Sequence, residues 1–294
     1  HVDSKAYWNN DGIDIVDCHR VRIARCFVNS ADDGICLKSE TPGMYNDSIL
    51  ISDCTIRSSA SAVKFGTASV GGFRNVTIRD IRVFDTFRSA IAPESVDAGF
   101  LENILVDGVD AVNTGNPVFI RLAHRNTNGP VGTLRHVVIR NMRVEVPLGR
   151  PDLDYELRGP ALDFFHNTFP SSVAGLPGHP VQDVTLEDIE ITYPGGGNDG
   201  LAFMPLYRLG DVPENAAQYP EFSMFGELPA WGFYVRHVEG LTLKNVYVKA
   251  EKPDYRPAFV FDDVKGLSLL HVQTRETPGE KKQYILKNVQ DAQL

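Results

Sequence analysis

The 294-residue sequence contains no apolar run long enough to span a membrane, which excludes a helical anchor and leaves a soluble globular chain as the expectation. Basic charge is scarce and scattered: 29 Lys and Arg stand against 38 Asp and Glu, a net charge of -9, and no cationic cluster marks a nucleic-acid footprint. Cysteine is absent after residue 54. The four present, Cys18, Cys26, Cys36 and Cys54, have neither CxxC nor Cys/His metal spacing, so they read as buried thiols with one pair open to disulfide formation. An initiator Met and a signal peptide are absent as well. Starting at His1, almost on top of its densest motif, the chain is expected to be a fragment or processed form without its upstream sequence.

What is present is repetition. A β-rich phrase recurs as "VRIARCFV" at 21, "ILISDCTI" at 49, "VTIRDIRV" at 76, "ILVDGVDAV" at 104, "VVIRNMRV" at 137, "VTLEDIEI" at 184, "LTLKNVYV" at 241 and "LSLLHVQT" at 267. Matching Ile23, Ile51, Ile78 and Val106 gives steps of 28, 27 and 28 residues. Each phrase alternates apolar and polar residues and favours β-branched ones, as a strand with one buried face requires. No amphipathic helices intervene, so a doubly wound α/β sheet is excluded. The pattern predicts an all-β, single-domain right-handed parallel β-helix over 1–294, one coil per period, missing its N-terminal coils. A β-propeller is the alternative, disfavoured because its repeats are longer.

Each coil carries a second strand. Aligning "DGIDIV", "DGICLK", "SAVKFG", "SAIAPE" and "NPVFIR" places Ile13, Ile35, Val63, Ile91 and Val118 in one inward column and Ile15, Leu37, Phe65, Pro93 and Ile120 in another. The outward columns hold Asp14, Cys36, Lys64, Ala92 and Phe119, then Val16, Lys38, Gly66, Glu94 and Arg121. Pro93 cannot donate to a ladder, which predicts a bulge or break there. Later coils are interrupted by insertions at about 145–182 and 193–232, the second rich in Gly, Pro and aromatics. Such insertions often cover a functional face, making Tyr207, Tyr219, Phe222, Phe225 and Trp231 candidates either for substrate contact or for packing the loop down. Regular spacing returns near the end, stacking Arg236 on Asp262 and His237 on Asp263 as a structural charge ladder.

Asp11 in "NNDGIDI" and, 21 residues later, Asp32 in "ADDGICL" are expected at one corner of successive coils, with Asp33 beside them. Packed acids raise the pKa of one and leave another ionised, the arrangement an acid/base pair for glycosidic cleavage needs. Asp-Gly turn chemistry, strand capping and calcium binding are the competing readings.

These motifs resemble glycoside hydrolase family 28, the polygalacturonases and their relatives. Asn9, Asn10, Asp11, Gly12, Ile13 and Asp14 look like that family's Asn-Thr-Asp-Gly-Ile-Asp, and Asp32 and Asp33, followed by Lys38 and Ser39, look like its Asp-Asp and Lys-Ser. The resemblance implies an inverting hydrolase, secreted or periplasmic, monomeric and without a cofactor or metal. Asp32 would be the general acid, with Asp11 and Asp33 activating water. The sequence departs from the family at two places. Ser61 stands where Gly-His-Gly would supply His, and Ala92 and Glu94 stand where Arg-Ile-Lys would supply cations, so a uronate would meet an acid there.

Lys64, Lys38 and Arg121 share that face, and Arg88, His124 and Arg125 lie in nearby loops. With Ser61 and Glu94 they are the candidate substrate contacts, although Arg121 and Glu94 could instead pair with each other as a structural bridge. The expected function is hydrolysis of a pectin-related or other plant or algal polysaccharide or oligosaccharide. The alternatives are a polysaccharide lyase with Asp-bound calcium and Lys64 or Arg121 as base, and a non-catalytic carbohydrate-binding protein.

Overall fold

The computed structural model describes residues 1–7, 9–125, 129–152, 168–198, 206–275 and 284–294. Parts of both expected insertions, 153–167 and 199–205, therefore lie outside the described residues. Among those described the chain is all-β. Every pairing between strands is parallel, and a single 3-10 segment, Leu206–Asp211, is the helical exception. No helix among the described residues is long and apolar enough to cross a membrane.

Parallel pairing sets each residue on its counterpart one coil away. Ile13, Ile35, Val63, Ile91 and Val118 form one column, and Ile23, Ile51, Ile78, Val106, Ile139, Leu186, Leu243 and Leu269 another. Val28, Ile56, Val83, Ala111, Val144, Ile191 and Val248 make a third. These columns enclose one apolar core, buried nearly throughout and thinning to half-buried residues such as Ile13 and Ile23 in the first coil. Burying each such side chain contributes about 1.5–3 kcal/mol.

The third column was not anticipated, because each recurring phrase reads as one straight strand and turns midway. "VRIARCFV" breaks into Arg22–Ala24 and Phe27–Ser30 around Arg25, its counterparts break likewise at Asp53 and His271, and at Asp80, Asn141, Asp188 and Asn245 the strand continues through a left-handed residue. These residues hold φ between 53° and 57°, the left-handed conformation that Asn and Asp enter most readily among residues with a side chain. The polar residue in mid-phrase is a corner.

Two further expectations change. Pro93 pairs with Phe65 inside the continuous strand Gly72–Ser95, and the irregularity lies one coil earlier. There Leu37 and Ser39 face Phe65 and Ser69, so Gly66, Thr67 and Ala68 bulge opposite a single residue, Lys38, with Gly66 at φ 96°. All four cysteines are free thiols, two buried and two half-buried, so none of them forms the disulfide left open by composition.

Within 145–182 the chain returns to the stack at Ser171–Ala174, which pairs with Phe100–Leu122 on one side and Phe233–Lys252 on the other. Residues 206–231 instead lie over the outward face. Phe222, Phe225, Leu228 and Ala230 pack there on Phe119, Phe169, Tyr234 and Val260 as a second apolar cluster outside the coils. Ile78→Ala, mid-stack, should cost about 2–5 kcal/mol, and Ile23→Ala in the half-buried first coil less than half as much. Urea unfolding monitored by circular dichroism measures both, and equal losses would contradict a core that thins toward the first coil.

Candidate functional site

The Asp-Gly pairs are held by close backbone approach. Gly12 and Gly34 have no left-handed φ, but a Cβ on Gly12 would lie 2.4 Å from the Gly34 carbonyl oxygen, and one on Gly34 would lie 2.6 Å from that of Ala62. Gly12 N–H donates to Asp33 O at 2.9 Å and Asp32 N–H to Asn10 O at 3.0 Å. Ile13 pairs with Ile35, so Asp11 lies level with Asp33, not with Asp32 as the 21-residue spacing suggests. All three acids still converge: Asp11, Asp32 and Asp33 each bring a carboxylate oxygen within 4.8 Å of the other two.

Their surroundings differ. Asp33 is buried, faces Lys64 Nζ at 3.0 Å and accepts the Ser61 backbone N–H at 3.0 Å. Asp11 faces Lys38 Nζ at 2.6 Å, and Lys38 also holds Asp14 at 3.0 Å. No cation among the described residues pairs with Asp32. Burial, reinforced by the Asp33 charge, pushes Asp11 up to about 7 although Lys38 opposes the rise. The same two causes, in the same order, raise Asp32, with Arg88 and Lys64 opposing. Three carboxylate oxygens this close would suit a hard cation, but Lys38 and Lys64 already neutralise two of the groups.

The remaining candidates are more enclosed than an open groove implies. Lys64 is 1% exposed. Its ammonium donates to Tyr219 Oη at 2.8 Å and lies 4.9 Å from the centre of that ring. Burial opposes its charge, yet Asp33 and Glu94 hold its pKa well above the ordinary lysine value. Arg88 faces Glu221 at 3.2 Å, and burial pushes the fully enclosed Glu94 up to about 8 against the pull of Lys64. Glu94 Oε2 has no hydrogen-bond partner.

Arg121 sits level with Glu94 in register, but its guanidinium donates to the carbonyls of Gly175 at 2.8 Å and Glu214 at 2.5 Å and lies 5.0 Å from the Phe225 ring centre. It is therefore a buried attachment for the covering segment and forms neither the expected bridge to Glu94 nor a surface contact. Burial lowers it to about 10. His124, half-buried, has its Nε2 2.8 Å from Gly129 O and its backbone N–H donating to Ala216 O at 2.8 Å. Arg125 is bidentate to Asp97.

Of the aromatic candidates, Tyr219 alone reaches the acid cluster's cations. Phe222 and Phe225 pack the cover down, Trp231 is buried edge-on to Tyr193 in the core, and Tyr207 is 87% exposed. Sequence reasoning missed Glu214 and Glu221, which lie in an insertion without periodic pattern and so give no register signal.

The expected ladder of Arg236 over Asp262 and His237 over Asp263 is present and anchors the cover. Glu214 accepts from Arg236 at 2.9 Å and from His237 Nε2 at 3.1 Å, while His237 Nδ1 meets Asp263 at 2.5 Å. Burial opposes protonation of His237, but the hydrogen bonds to Glu214 and Asp263 prevail and raise it above its ordinary 6.5. A raised folded-state value means that this attachment contributes fully below about 6.5 and is lost as pH climbs through the raised value. Melting temperature should therefore fall across that window in the native chain and fall less in His237→Gln. Parallel pH profiles for the two would remove His237 from the anchor.

No protein-family model matches this sequence, and no curated protein matches it. Among solved structures the chain is similar to "Structure of Yersinia enterocolitica Family 28 Exopolygalacturonase", with 12% identity and a TM-score of 0.43, over 92% of this chain and 44% of that one. The chain spans less than half the length of that protein.

Proposed function

We propose that this chain is a glycoside hydrolase whose coils wind as a right-handed parallel β-helix, secreted or periplasmic, cleaving a pectin-related or other plant or algal polysaccharide or oligosaccharide. The convergence of Asp11, Asp32 and Asp33, with two of the three raised by burial and by the charge of the third, is the observation that carries this reading. Asp32, free of any cation pair among the described residues, gives its proton to the leaving glycosidic oxygen as the bond to the anomeric carbon breaks. Asp11 takes the proton of the attacking water, whose oxygen becomes the new anomeric hydroxyl. Asp33, anchored by Lys64 and Ser61, supports that water and through its charge keeps the proton on Asp32.

The lyase reading needs a side chain that accepts a proton. Lys64 is already committed as an ammonium to Asp33, and Arg121 is enclosed by carbonyls, which weighs against both as bases.

Asp32→Asn should abolish reducing-sugar release from a substrate that the native chain cleaves, and activity within tenfold of native would sink the assignment. Lys38 lowers Asp11, so Lys38→Met should move the acid limb of the pH–rate profile further up. Proton NMR of the first product formed checks the stereochemistry. The carboxylate oxygens lie closer than the roughly 6.5–9.5 Å between carboxyl groups of most inverting pairs, yet the motif resemblance implies inversion, and a retained configuration would overturn that part.

A further inference from the structure

Resting on the hydrolase reading, we propose that the sugar unit this site accepts is uncharged: a neutral glycosyl residue bound through its hydroxyls, not a uronate. Recognition of a sugar carboxylate takes a free cation, best an Arg fork. Every cation that the described residues bring to this face already faces one of the protein's own acceptors, and the Nε atoms of Arg88 and Arg121, which have no hydrogen-bond partner, are themselves buried. Lys38 spans Asp11 and Asp14, Lys64 holds Asp33, and Arg88 faces Glu221. Arg125 is bidentate to Asp97, and Arg121 is fully buried against backbone carbonyls and Phe225. Freeing Lys64 or Arg125 for substrate would strand a buried carboxylate, freeing Arg121 would leave carbonyls unsatisfied, and freeing Lys38 or Arg88 would unpair the half-buried Asp11 or Glu221.

The groups left over have the opposite preference. Asp32 stays half-open with no cation partner among the described residues, while Glu94, unpartnered at Oε2, is fully enclosed. Asp32, protonated as the general acid, both donates and accepts, which a sugar hydroxyl matches and a uronate carboxylate, an acceptor only, meets in part. The local field points the same way. Asp33 already raises the pKa of Asp11 and of Asp32, and a uronate would add another negative charge to a site that protonates its own acids to relieve repulsion.

The test uses oligosaccharide pairs that differ only in oxidation at C6: galactan and galacturonan, mannan and mannuronan, glucan and glucuronan, in both anomeric linkages. Hydrolysis is read as reducing ends, and binding to Asp32→Asn by calorimetry. The neutral member of at least one pair should be bound and cleaved, with its uronate counterpart cleaved at least about a hundredfold more slowly, since like-charge juxtaposition costs several kcal/mol. Equal or faster cleavage of a uronate, or failure to bind every neutral member, overturns the inference. Neutral oligosaccharide bound without cleavage by the native chain would leave it standing while removing the hydrolase reading. Cleavage of uronates alone would do the reverse.

Discussion

Parallel pairing dictates that a side chain's neighbours are those one coil before and one coil after, about 4.8 Å away, and the rest of the molecule follows from that constraint. Inside, it demands apolar residues in long columns, and the columns through Ile78 and Val83 supply them. Outside, it demands that stacked charges be compatible, because each sits between two others. Asp11 and Asp33 are such neighbours, brought level by the pairing of Ile13 with Ile35. Their repulsion is relieved by cations on the adjacent strands, Lys38 and Lys64, which come from a later position in the same ladder. The glycines after each aspartate let the coils approach closely enough for this arrangement to exist.

Burial then converts a charge pattern into chemistry. Were the face open, solvent would screen the acids and their pKa values would differ little from ordinary ones. The covering segment changes the setting: Tyr219 caps Lys64, Glu221 meets Arg88, and Phe225 lies against Arg121. Four outward-facing residues that an exposed β-face would present to water, Cys36, Lys64, Ala92 and Phe119, are all buried. Asp11 and Asp32 stay half-open at the margin of this enclosed region, where desolvation acts and a ligand can still reach.

The columns were legible from sequence because the period is nearly constant and each position keeps its character from coil to coil. Ile23 through Leu243 could be aligned by eye, and the alignment of Asp14 with Cys36 and Lys64 matches the ladder. Asp53 and Asp80 were misread because alternation of apolar and polar residues looks the same whether the chain runs straight or turns at a left-handed residue. The acid cluster was legible as a composition, one step out of register. The cations were legible as residue types and not as partners. Whether Arg121 turns to Glu94, to sugar or to the carbonyls of Gly175 and Glu214 depends on where an aperiodic segment comes to rest, which no repeat encodes.

Stacked-repeat proteins are quasi-one-dimensional: each coil touches only its neighbours, so the array can fray from its ends one unit at a time. Residues 206–231 break that rule. They tie Lys64 to Tyr219 across 155 positions and Arg121 to Glu214 across 93, and they reach Arg236 in a still later coil. The segment is a tension member laid along the stack. Loss of a middle coil would release its hold on all the others, so thermal or chemical unfolding of these coils becomes a single concerted event in which the half-open acids lose their surroundings together with the core.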